Sequence, residues 1–263
     1  MNNSPSPTAS ARRTVMFFGM GLFLLSGCIF TPPAIEYSSY LSARSTRDAA
    51  DHYLVDDDGA VTYALAGLRV RVDYMTDEAL NQMFPDDSNR GPFSTNPYTY
   101  GDWLDPLLGH TPNRFTVFQV TVTNDIYAKV LLDPITALLH TDQGEVLHSF
   151  GIPSYSPHKS FERYYRGVRG QSGNEFYRFD TRMGNVRSST FLEDTKVFKG
   201  ESYSGLLTFS PLDEEVDRVQ LILEDFVLKF DASDQPLETV DIFFDFDRTI
   251  LKTVVTPAAD PAE

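Results

Sequence analysis

Five histidines, one cysteine and several carboxylate clusters are the residues with which this chain could hold a metal or move a proton. His52, His110, His140, His148 and His158 include no pair spaced four apart, the spacing that puts two imidazoles on one face of a helix. Cys28 is the only thiol, so no second thiolate completes a zinc site. His140 and His148 flank Asp142-Gln143-Gly144 and can approach each other across a hairpin turn, where a structural role is expected. Asp56-Asp57-Asp58-Gly59 resembles a calcium loop only in part. With Gly59 in the glycine position, Leu54 and Leu65 stand where the first and last oxygen donors belong. Asp241, Asp245 and Asp247 share one face of an expected strand, beside Arg248, and read as a solvated face. In Gly170-Gln171-Ser172-Gly173 the second glycine comes one residue too early for a nucleophile elbow. The chain has no phosphate-binding loop and no dinucleotide fingerprint. The expectation is therefore a protein without metal, cofactor or catalytic residues.

Two other clusters suit binding. Lys159, Arg163, Arg166, Arg169, Arg178, Arg182 and Arg187 lie among only Glu162, Glu175 and Asp180, in a chain whose formal charge is −15. These arginines either balance acidic strands of the same domain or form a docking surface for an acidic partner or an anionic headgroup. Arg163, Arg166 and Arg169 with Tyr164 and Tyr165 are the candidate surface, with Tyr177 beside them, because tyrosine is enriched in interface cores. The alternative is a ligand site for a sugar or peptide. Trp103, Tyr98, Tyr100 and Phe93 stand in a long loop opened by Pro85 and closed near Pro112, and can line such a pocket. Nucleic acid is excluded as a partner by the net charge.

The elements that must position these residues are mostly strands. Leu68–Tyr74 alternates apolar and charged residues, the period of a half-buried strand. Phe115–Thr123 is the clearest strand, and Ile135–Thr141 with Val146–Phe150 forms a hairpin. Lys196–Lys199, Tyr203–Ser210, Val219–Glu224, Phe226–Phe230 and Val240–Arg248 complete the set, and Val219–Phe230 can also be read as one long bent strand. Thr76-Asp77-Glu78 opens a short helix. Phe161, Tyr164, Tyr165 and Val168 fall on one helical face, and Phe176, Phe179, Met183 and Val186 on another. The predicted architecture is all-β, an antiparallel β-sandwich spanning 61–254 with a helical insertion near 158–188. Lys199-Gly200-Glu201 followed by Gly205-Leu206-Leu207-Thr208-Phe209 resembles the immunoglobulin-like envelope domains of bacteria over about residues 115–248, which implies an immunoglobulin-like fold and no catalytic positions.

The first residues decide the compartment. Arg12 and Arg13 precede the apolar run Val15–Leu25, which is too short to span a bilayer at about 20 residues. Leu25-Ser26-Gly27-Cys28 then resembles a bacterial lipobox. The resemblance to bacterial lipoproteins implies a cleaved signal peptide at 1–27 and two or three acyl chains on Cys28, where a single chain would bind only marginally. It implies an outer-membrane protein facing the periplasm, since Ile29 rather than aspartate follows the cysteine. Pro32, Pro33 and the serines that follow make 28–60 a flexible tether in this reading, and 255–263 a disordered tail. The expected function is non-catalytic scaffolding or assembly of an envelope complex through protein contacts.

Overall fold

The computed structural model describes residues 35–44, 52–168 and 174–254. Residues 1–27, Cys28, Arg169, Ser172 and the tail 255–263 lie outside them. Among the described residues no helix is long and apolar enough to cross a membrane.

The chain runs β1 (Ile35–Ala43), β2 (Tyr53–Val55), β3 (Val61–Leu65), β4 (Leu68–Met75), α1 (Asp77–Met83) and α2 (Pro85–Ser88). After a long loop come β5 (Thr116–Asn124), β6 (Lys129–Leu131), β7 (Leu138–Thr141), β8 (Val146–His148), β9 (Phe150–Gly151) and β10 (Lys159–Ser160). Two helices follow, α3 (Phe161–Gly167) and α4 (Asn174–Ser189), and then β11 (Lys196–Phe198), β12 (Glu201–Phe209), β13 (Arg218–Phe230) and β14 (Pro236–Val254).

Most strands form two antiparallel sheets. One has the order β1-β14-β13-β6-β11, with β7 also paired to β13 and β8 to β7; the other has the order β12-β5-β4-β3-β2. The protein is thus mostly β, with a sandwich-like core between the sheets. In β4 and β5 the alternation fixes the faces: Val70 pairs Val122 and Val72 pairs Val120, all four fully buried. They join Leu221, Leu223, Phe244 and Phe246 of the other sheet in one cluster, and the Phe118 and Phe246 rings meet across it at 5.2 Å. The opposite face of β5 is polar, where Thr121 and Thr123 share hydroxyl hydrogen bonds with Ser204 and Ser202.

A second apolar cluster lies on that outer face, at one end. Met75, Val117 and Leu206 are covered there by Tyr98, Phe161, Tyr165, Met183 and Val186. The long loop and the two helices are therefore packed onto the sheet. Val168, expected on the buried face of α3, is instead half exposed one residue past that helix's end.

The tether expected over 28–60 is corrected by β1. Ile35–Ala43 pairs residue for residue with Val254–Phe246 and buries Leu41. Its serines disguised it: β1 is an edge strand with Ser38, Ser39 and Ser42 largely outside the core. The stretches at 219–224 and 226–230 are one strand, β13, whose register shifts between Leu223 and Phe226 where Asp225 takes φ 51°. Ala66 and Gly67 both hold positive φ, the two-residue turn that matches the twist of a tight hairpin between β3 and β4.

Candidate functional site

A cleft of about 470 Å³ opens where the second cluster meets the surface. Arg114 enters it from the segment before β5, and Tyr100 from the long loop. Lys159 comes from β10 and Arg163 and Tyr164 from the first turn of α3. Phe115, Phe150 and Pro211 make its apolar side, and His158, Ser160, Ser210 and Asn113 complete it. Among the described residues no carboxylate lines it.

Arg114 is only 8% exposed. Its Nη1 donates to the Asn96 carbonyl at 3.2 Å and to the Tyr165 hydroxyl at 3.4 Å. Its guanidinium lies 4.1 Å over the Tyr100 ring, a cation–π contact that fixes its plane. Its Nε has no hydrogen-bond partner. Tyr165 is itself held by donating to the Pro97 carbonyl. Among the described residues Arg114 forms no salt bridge, so its charge is offset only at longer range by Asp77.

Arg163 shapes the cleft wall. Nη1 donates to the Ser154 and Ser156 carbonyls at 2.5 and 2.6 Å, and Nη2 to the His158 carbonyl at 3.0 Å. Its cationic charge is thereby held in place without neutralisation. Among the described residues neither Arg163 nor Lys159 has a carboxylate partner. Ser160 caps α3 by accepting from the Arg163 amide. Arg166 behaves differently: it pairs with Glu162 at 2.5 Å, one turn away on the exposed side. Burial, then the neighbouring Tyr100, pushes the Tyr164 hydroxyl up, so it stays neutral as a donor.

The two sequence-level candidates converge here in part. Arg163 and Tyr164 share one cleft with Tyr100. Trp103 stands 5.4 Å from Tyr100 and lines a smaller recess of about 190 Å³, with Pro92 and Ser94, that shares Tyr100 and Arg114 with the cleft. Tyr98 and Tyr165, expected on binding surfaces, are core residues instead. Tyr98 is fully buried and bonded to the Ser189 and Thr190 hydroxyls, because the loop folds back onto α4. Phe93 is exposed, with Arg178 over its ring at 4.6 Å.

His148 and His140 do not meet. His140 pairs with Val146 on β8, while His148 pairs with Leu138 and stacks on His158 at 3.7 Å with the rings nearly parallel. Burial lowers the pKa of His148, and the neighbouring His158 lowers it further. Parallel rings at that separation cannot both aim a lone pair at one ion. Among the described residues no three His, Cys, Asp or Glu side chains form a metal cluster.

Asn113 links the cleft to a third recess, of about 230 Å³, that contains Asp77, Ile35, Leu104 and His110. Burial pushes the Asp77 carboxyl up to about 7; Glu78 adds to this, while a hydrogen bond from Asn113 and the charge of Arg114 oppose it. Arg114, Asn113 and Asp77 are the site residues that sequence reasoning missed. One signal was available: Arg114 is a lone cation directly before Thr116–Asn124, a strand with no charged residue.

No family model matches this chain, and neither a curated protein nor a solved structure resembles it significantly.

Proposed function

We propose that this protein is a non-catalytic, lipid-anchored envelope protein that engages acidic partners through the cleft at Arg114, Lys159 and Arg163. The observation that carries the reading is charge: three cations line a cleft free of carboxylates, in a chain of net charge −15. An acidic segment of another envelope protein fits that complementarity, and in this reading the role is scaffolding or assembly, placed on the periplasmic side of the outer membrane by the lipobox resemblance. The lipobox-like Leu25-Ser26-Gly27-Cys28 supports the anchor, with Cys28 as the acylated residue. We read the two sheets as an immunoglobulin-like sandwich, with α3 and α4 as its helical insertion; the antiparallel pairing of β5 with β12 and of β13 with β14 in separate sheets supports this.

A second reading is favoured by size. The cleft's volume lies within the range of roughly 300–1,000 Å³ usual for small-molecule sites. A sugar or short peptide bearing a carboxylate would set its charge on Arg114 and stack on Tyr100, next to Trp103.

Calorimetric titration of the purified protein with an oligoglutamate peptide and a neutral peptide of equal length tests the main reading. Lys159→Glu is the variant, since Lys159 is exposed and makes no bond that folding needs. Binding of the acidic peptide alone, weakened about tenfold by the variant and by raised salt, is expected. No binding of the acidic peptide, or equal binding of both peptides, would sink it.

A further inference from the structure

The most exposed apolar side chains near the start of β1 form a group. Leu107 is 86% exposed, Leu104 59% and Leu108 45%. Leu107 and Leu108 sit on one tight turn, which Leu104 directly precedes, and in it the Asp105 carboxylate accepts from the Leu107 amide at 2.8 Å and the Leu108 amide at 3.3 Å. The turn closes as the Gly109 amide donates to the Asp105 carbonyl at 2.8 Å. It is fastened to β1, whose Ile35 amide donates to the Gly109 carbonyl at 2.9 Å. Stacking of Tyr37 on His110 at 4.6 Å adds a second tie. Ile35 and Leu104 line the same recess, and exposed Val254 pairs with Ile35 at the end of β14. The leucines are thus a rigid tip beside the point where the chain enters the sheet.

We infer that this tip inserts into the lipid surface to which Cys28 is anchored. The inference rests on the lipid-anchor reading and is independent of what the cleft binds. Ile35 follows Cys28 by seven residues. At about 3.3–3.6 Å per residue, that chain reaches at most about 25 Å. An acyl-bearing Cys28 therefore limits the start of β1, and the leucine turn bonded to it, to within about 25 Å of the bilayer surface. Three leucines presented together on a backbone locked by one carboxylate suit the headgroup–acyl boundary, where apolar side chains leave water while polar groups remain hydrated. With a net charge of −15 the protein is repelled by anionic headgroups, so zwitterionic lipid is the surface it fits. The opposite end of β14 carries its own exposed leucine, Leu237, 17 residues away along an extended strand. This internal control stands at most about 55 Å from Val254 at ~3.3 Å per residue.

The test uses the full chain, produced with its anchor and reconstituted into phosphatidylcholine vesicles. Trp103 is the only tryptophan, so Trp103→Phe gives a silent background. Leu107→Trp and Leu237→Trp are added to it one at a time, both at exposed positions that folding tolerates. Emission is compared in vesicles with and without brominated acyl chains, and the mass of the mature protein reports acylation. Expected is a loss of about half the emission at position 107 and no change at position 237. Equal quenching at both positions, or none at 107 in an acylated, vesicle-bound protein, overturns the insertion and leaves the anchor standing. A mature mass without acyl chains removes the anchor and this inference with it.

Discussion

Asp77→Asn is the perturbation whose size the structure sets most directly. The Asp77 carboxyl lies in the recess beside Asn113 with its pKa raised from 3.8 to about 7, chiefly by burial. The folded state therefore holds the proton more tightly than the unfolded chain does. Stability from this group is complete below pH ~4 and is lost as pH rises towards 7, after which the loss is constant. At about 1.36 kcal/mol per pH unit, a shift near three units has a ceiling of about 4 kcal/mol. Asp77 is partly open to water and Asn113 donates to it, so about half of that is the working figure. The variant loses the charged form and keeps the shape. It is expected to be more stable than the wild type by about 2 kcal/mol at pH 8, or roughly 4–8 °C in Tm for a domain of this size, and equal to it at pH 4. Thermal unfolding from pH 4 to 8, followed by circular dichroism, measures both curves. Removing a negative charge near Arg114 is also expected to tighten binding of the acidic peptide severalfold at pH 8. Parallel curves for variant and wild type, with no gain at pH 8, would refute the burial argument.

Three further outcomes follow from the packing and the cleft. A Cβ on Gly205 would sit 2.5 Å from the backbone of Phe191, so Gly205→Ala is expected to cost about 1–3 kcal/mol in urea unfolding. The lowered pKa of His148 means stability present above pH ~6.5 and lost as pH falls further. His158→Gln is expected to lessen that loss in melts between pH 7 and 5, and an unchanged acid limb would count against the stacked pair as its source. Arg114→Met keeps the stem over Tyr100 but removes the cation. Calorimetry is expected to show acidic-peptide binding falling more than tenfold, and the protein to lose about 1–2 kcal/mol as the Asn96 carbonyl is left without its donor.

Strands were legible wherever one face was apolar and the other polar. Leu68–Tyr74 and Phe115–Thr123 announced β4 and β5 by alternation alone, and the turn at Asp142-Gln143-Gly144 announced the β7–β8 hairpin. The same logic failed at Ile35–Ala43, an edge strand whose partner lies about 200 residues away and whose serines carry no periodic signal. The aromatic loop showed a different limit. Tyr98, Tyr100 and Trp103 look alike in sequence, yet one is core, one stacks under an arginine and one borders a recess. Only the return of the loop onto α4 sorts them. Arg163 and Tyr164 could be picked out by charge and type. Their meeting with Arg114 could not, because nothing local links the entry to β5 with α3.

The pairing of β1 with β14 also bears on how the chain is made. Among the described residues the first strand is held in its sheet only by the last, with Ile35 opposite Val254 and Ala43 opposite Phe246. Contacts so distant in sequence form late and slowly. Until Phe246–Val254 emerges, Ile35–Ala43 has no partner edge, so the sheet remains open throughout synthesis. Closure of this sheet is thereby deferred by topology until the last strand is available to pair with the first.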